Sequence, residues 1–209
     1  MDTQDLITIL AQSPEHKKPV SFGVALVLLF SATFVLTVFI LGLRTDLILF
    51  PLNMTAIHKT ILLSSVAVSV GFFLSEISKP IPLISRVMPY VWLSIVLFMC
   101  SIGYEVVTTP FNQIIGYFLI INFPECLFFV FLYGALGSLA FLWLMKFYAP
   151  HDVKLAGMGI GLAASAVGAL GYSLHCPLDS PVFITVAYGV PIMVMGMIGK
   201  FIISRYIKW

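Results

Sequence analysis

Leu174-His175-Cys176-Pro177-Leu178-Asp179-Ser180-Pro181 is a polar island between two long apolar runs. Upstream lies Leu155–Leu174, rich in Gly and Ala. Downstream lies Val182–Ile203, rich in Val, Ile and Met. Each run is about 20 residues, enough helix to cross roughly 30 Å of hydrocarbon. The island is therefore expected to be a tight loop on one face of a membrane. It carries an imidazole, a thiol and a carboxylate between His175 and Asp179. Asp179-Ser180 before Pro181 reads as a polar cap followed by proline in the first helical turn.

The whole chain supports that reading. Of its 209 residues, 60% are apolar and 10% charged, with a mean hydropathy of +1.08. A soluble domain is about 45–50% apolar and about 25% charged. An all-α integral membrane protein is expected, a bundle of six transmembrane helices over residues 19–209. The spans fall at about 21–43, 60–74, 87–103, 126–145, 155–174 and 182–203. Residues 111–123 are apolar but bracketed by Pro110 and Pro124, and are too few for an upright span. An interfacial or re-entrant helix is expected there.

Residues 1–18 form a polar tail. Asp2, Asp5, Glu15, Lys17 and Lys18 argue against a cleavable signal peptide. Leu6, Ile9 and Leu10 recur at helical spacing with Ile7 beside them, and Asp5 suits the positive end of a first turn. So short a helix is marginal alone. It fits either an interfacial helix beside span 1 or a docking peptide for a cytoplasmic protein.

Six spans put both termini on one face. That face holds Lys17, Lys18, Lys79, Arg86, Lys146, Lys154, Lys200, Arg205 and Lys208, nine of the eleven basic residues, and leaves Arg44 and Lys59 on the other. The excess of basic residues marks the cytoplasmic side. Both termini are therefore expected in the cytoplasm, and the loops at 44–59, 104–125 and 175–181 outside.

Glu125-Cys126 and His175-Cys176, with Asp179 and His58 nearby, then share the outer face. Two thiolates and an imidazole suit a thiophilic metal ion, with Cys126, Cys176 and His175 the candidate ligands. Two thiols in an oxidising compartment also suit a disulfide, redox-responsive or constitutive. With 50 residues between them, unrelated free cysteines are the plain alternative. Cys100 is expected to fill a packing site. On span 5, Gly157, Gly161, Ser165 and Ala169 recur every four residues, and Gly159, Ala163, Ala166 and Gly168 widen the stripe. Close packing within the chain is expected from it, or a homodimer face. Pro191 predicts a kink in span 6. Met193, Met195 and Met197 alternate, so one helix face does not hold all three.

No acidic or basic residue falls mid-span, which counts against an ion or proton-coupled carrier. No C-x-x-C is present, which counts against a thiol-redox enzyme. No H-E-x-x-H, G-x-S-x-G or phosphate-binding glycine loop is found, and no enzyme is expected.

Three stretches carry a resemblance. The chain opens Met1-Asp2-Thr3-Gln4-Asp5-Leu6-Ile7-Thr8-Ile9-Leu10-Ala11. After span 1 it reads Gly42-Leu43-Arg44-Thr45-Asp46-Leu47. Then comes the island 174–181, and a basic terminus closing on Trp209. With six spans, this resembles the bacterial NrsF family, negative regulators of the sigma-F type of extracytoplasmic-function sigma factor. The resemblance implies a non-enzymatic anti-sigma factor in the bacterial inner membrane. It would hold its sigma factor through the tail residues Asp5, Leu6, Ile9 and Leu10, with no direct contact to nucleic acid. A periplasmic redox or heavy-metal signal would be sensed at Cys176 and Cys126, beside His175, Glu125 and Asp179. A small-molecule carrier or channel, and a thiol-redox enzyme, are the competing classes.

Overall fold

A computed structural model describes residues 20–44, 53–119 and 123–207, and among these there is helix and no strand. The elements are α1 (Phe22–Ile40), α2 (Met54–Ile77), a 3-10 turn (Ile84–Arg86), α3 (Met88–Thr108), α4 (Phe111–Leu119), α5 (Phe123–Met145), α6 (Val153–Ser173), α7 (Pro181–Ala187), α8 (Gly189–Phe201) and a closing 3-10 turn (Ile203–Tyr206). Among the described residues, six segments are long and apolar enough to cross a membrane; the sixth, Pro181–Tyr206, is α7, α8 and the closing 3-10 turn run together. The tail residues Asp5, Leu6, Ile9 and Leu10 lie outside the described residues.

The helix ends follow from local chemistry. Ser180 Oγ accepts from the Phe183 N–H at 3.1 Å and Pro181 occupies the first turn, as the sequence predicts. Asp152 Oδ1 accepts from the N–H groups of Lys154 and Leu155 at 2.8 and 3.1 Å. Gly42, at φ +80°, closes α1 in a left-handed turn that a side chain would strain. Pro191 has no N–H for the Ala187 carbonyl, and the sixth span breaks at Tyr188.

Span 2 differs most from expectation. It begins at Met54 rather than about residue 60, because Asn53 Oδ1 caps it by accepting from the Thr55 N–H at 3.1 Å. His58 and Lys59, expected in a loop, are helical. Span 3 likewise runs on to Thr108, which brings Glu105 into the helix. The short helix expected between Pro110 and Pro124 is present as α4, and Phe118 packs its ring 5.9 Å from Phe183 at the start of the sixth span.

α6 is the central post. Of its apolar window 67% is buried, against 11% for α1. Its small residues are spent inside the chain. A Cβ on Gly161 would stand 2.0 Å from the Met195 carbonyl oxygen, and one on Gly157 2.3 Å from that of Gly199. The stripe therefore packs within the chain, Gly157 and Gly161 against α8, Gly159 against α2 and Gly168 against α5. Gly161→Ala is expected to cost at least about 1–3 kcal/mol, because backbone must move. Gly103, with nothing within 4 Å, should accept alanine without loss. Unfolding of the two variants in micelles separates these outcomes.

The core has two parts. One gathers Phe22, Ile77, Met145, Ala156 and Ile207, so both ends of the described chain lie at one end of the bundle. The other gathers Cys126, Tyr133, Tyr172, Cys176, Phe183 and Tyr188. Met195 turns inward while Met193 and Met197 face out.

Candidate functional site

The second core holds the site. Cys126 lies in the first turns of α5 and Cys176 in the loop between α6 and α7. Their sulfurs are 3.5 Å apart, both are free thiols, and both are buried. Residues 50 apart in sequence are thus in contact. The Tyr172 hydroxyl approaches Cys126 Sγ at 3.7 Å, and the Phe129 and Tyr172 rings stack beside it.

A charge clamp holds the loop over this pair. Arg44 grips Asp179 with two hydrogen bonds, Nη1 to Oδ1 at 2.7 Å and Nη2 to Oδ2 at 3.0 Å. Lys59 Nζ donates to the carbonyls of Cys176 and Leu178 at 2.7 and 2.8 Å, and lies 3.5 Å from Asp179 Oδ1. Arg44 Nη1 also reaches the Cys176 carbonyl at 3.2 Å. Thr55 Oγ1 stands 2.9 Å from Asp179 Oδ2. The Lys59 side chain is 1% exposed, so its charge is tolerable only with these acceptors around it.

Two more contacts fasten the loop. His175 Nδ1 donates to the Gly42 carbonyl at 2.9 Å. Glu105 Oε2 accepts from the Val182 N–H at 2.8 Å, pinning the start of α7 to α3. The Gly42-Leu43-Arg44 stretch and the His175-to-Asp179 stretch, far apart in sequence, therefore dock on each other.

The expected cluster is only partly assembled. Cys126 and Cys176 meet. Asp179 neutralises cations, His175 turns to Gly42, and Glu125 is exposed. His58 Nε2 pairs instead with Ser101 Oγ at 3.1 Å. Among the described residues, no three His, Cys, Asp or Glu side chains are grouped to hold a metal ion. Cys100, expected to be packed away, is exposed. A membrane-permeant maleimide should therefore label Cys100 in the folded protein well before Cys126 or Cys176, read by peptide mass spectrometry. Sequence reasoning missed Lys59 and Arg44 as clamp residues and Tyr188 as a lining group.

The Cys176 thiol, in the loop, is held below its ordinary range. The hydrogen bond with Cys126 contributes most; burial opposes it, and the Lys59 charge adds to it.

The fold and site define a helical membrane protein of six spans with a buried thiol pair under a charge-clamped loop. The chain belongs to the NrsF family, described as negative regulator of sigma F, whose model matches residues 6–209. It is similar to the anti-sigma-F factor NrsF of Caulobacter vibrioides, at 32% identity over 68 residues. It is also similar to the probable anti-sigma-F factor NrsF of Azospira oryzae, at 35% over 65 residues. These alignments cover 32% and 31% of this chain, and 32% and 30% of those relatives, so the chain matches about a third of the length of each. No solved structure matches.

Proposed function

We propose that the protein is a membrane-bound anti-sigma factor. It sequesters an extracytoplasmic-function sigma factor at the bacterial inner membrane and releases it when a periplasmic oxidant reaches Cys126 and Cys176. The family match over residues 6–209 carries the regulatory part of this reading. The 3.5 Å contact between two buried free thiols supports the sensing part. The excess of basic residues on the face of the termini supports a cytoplasmic tail. In this reading Asp5, Leu6, Ile9 and Leu10 hold the sigma factor. Among the described residues the two sulfurs have no third grouped donor, which favours oxidation over a held metal ion. A thiophilic metal would bridge the same pair.

Co-purification tests this. The intact protein, gently solubilised from unstressed cells, is expected to bring down a small sigma factor. A chain lacking residues 1–12 should lose most of it. Oxidant should release the partner and a thiol reductant should restore binding, whereas a chelator would restore it if a metal were the signal. No sigma factor in the unstressed pull-down would sink the proposal.

A further inference from the structure

Lys59, Tyr172 and Tyr188 surround the thiols without being named in that reading, and they treat the two sulfurs unequally. Lys59 Nζ is fixed on the Cys176 side by the carbonyls of Cys176 and Leu178. Tyr188 is fully buried, its ring 5.7 Å from that ammonium. Its hydroxyl has no hydrogen-bond partner among the described residues, and it lies in the same buried core as Cys176. Tyr172 instead offers its proton to Cys126. Either sulfur can be the donor in the thiol contact. With Cys126 as that donor, one chain of hydrogen bonds runs from Tyr172 through Cys126 to Cys176. It ends on Cys176, whose carbonyl holds the Lys59 ammonium, with the Tyr188 ring next to that ammonium. The sulfur that terminates such a chain is the nucleophile.

We propose, resting on the reading of the pair as a sensor, that Cys176 attacks a hydroperoxide and Cys126 resolves the product, with Lys59 and Tyr188 as the positioning residues that fix this order. The Cys176 sulfur displaces on oxygen: the S–O bond forms, the O–O bond breaks, and the remainder leaves as an alcohol, or as water from hydrogen peroxide, after taking a proton. Cys176 becomes a sulfenic acid and the peroxide is reduced by two electrons. The Cys126 sulfur then attacks the Cys176 sulfur. The S–S bond forms, the S–O bond breaks, and hydroxide leaves as water with the Cys126 proton. Two thiols and one hydroperoxide give one disulfide, one alcohol and one water. The sulfurs need to close from 3.5 Å to about 2.05 Å. Pro177, Leu178 and Asp179, the residues that follow Cys176, line a cavity of about 740 Å³ shared with Thr55, Tyr104 and Glu105. Cys176 itself is 1% exposed, so an oxidant in that cavity reaches the sulfur only when the loop between them shifts.

The test is sulfenic-acid trapping on the purified full-length chain in micelles, with hydrogen peroxide and dimedone, read by peptide mass spectrometry. Cys126→Ser is expected to accumulate the adduct on Cys176. Cys176→Ser should show at least about tenfold less on Cys126. Tyr188→Phe, which removes a single oxygen, should slow adduct formation on Cys176 several-fold. Lys59→Met should slow it further if it folds. Equal adducts on the two cysteines, a preference for Cys126, or unchanged kinetics in Tyr188→Phe would overturn the assignment. No sigma factor is present in this assay, so the order of attack and the anti-sigma reading fail separately.

Discussion

Asp179→Ala is expected to destabilise the protein by about 3–5 kcal/mol, the usual consequence of removing one partner from a buried ion pair. The carboxylate faces two cations, Arg44 at 2.7 Å and Lys59 at 3.5 Å, with side chains 5% and 1% exposed. Without it, the Arg44 and Lys59 cations lose the carboxylate they share while their side chains stay buried. The triple variant Arg44→Met, Lys59→Met, Asp179→Leu removes these three charges together. Relative to Asp179→Ala it should recover part of the loss, though not all, because Arg44 and Lys59 also make contacts beyond Asp179. The Cys176 carbonyl would still lose two donors and the Leu178 carbonyl one. Denaturant titration in micelles gives both numbers. A loss below about 1 kcal/mol in the single variant is what a solvated surface pair gives, and would mean that no clamp operates.

The clamp matters because of what it joins. Arg44 and Gly42 end α1, Lys59 belongs to α2, and the carbonyls they hold flank the thiol. α1 is the least enclosed of the six spans. At its other end it continues into residues 1–19, where the tail proposed to hold the sigma factor begins. A change at Cys176 therefore has a covalent and hydrogen-bonded route to α1. Such a change shifts partner binding only by the difference in affinity between two states. The worth of the clamp bounds what this route transmits.

The sequence discloses this site unevenly. The island 174–181 stands out because polar residues interrupt two spans of full length, and Ser180-Pro181 carries its cap in its chemistry. The meeting of Cys126 and Cys176 follows in outline from counting spans, since both sit at the same end. Lys59 is harder. A charge at the edge of an apolar run reads as loop, yet the span drawn from Thr60 to Leu74 is too short to cross about 30 Å. That shortfall, with Asn53 as an available cap, is the signal that extends α2 back over Lys59. Glu105 is hidden in the same way by a third span drawn too short. The pairing of Arg44 with Asp179 has no local signature, because it is made by tertiary docking. The exposure of Cys100 depends on α3 standing at the edge of the bundle, which hydropathy does not record.

Oxidising Cys126 and Cys176 to a disulfide is expected to stabilise the fold by at most about 4 kcal/mol, the chain-entropy value for a closed loop of this length, 50 residues. The shortfall from that ceiling is informative. Drawing the sulfurs together moves Cys176, whose carbonyl is held by Lys59 and Arg44. Hydrogen bonds to charged groups are worth about 1.5–3 kcal/mol each. Losing one of them would leave a net gain of about 2 kcal/mol. Lys59→Met, where that contact is already gone, should then gain more on oxidation than the wild type does. Cys176→Ser should gain nothing. Unfolding midpoints of oxidised and reduced protein, with the bond verified by mass spectrometry, give all three values. If the wild type gains the full amount, the loop closes without disturbing its clamp. The disulfide would then be a lock with no lever on α1, and release of a partner would need another origin.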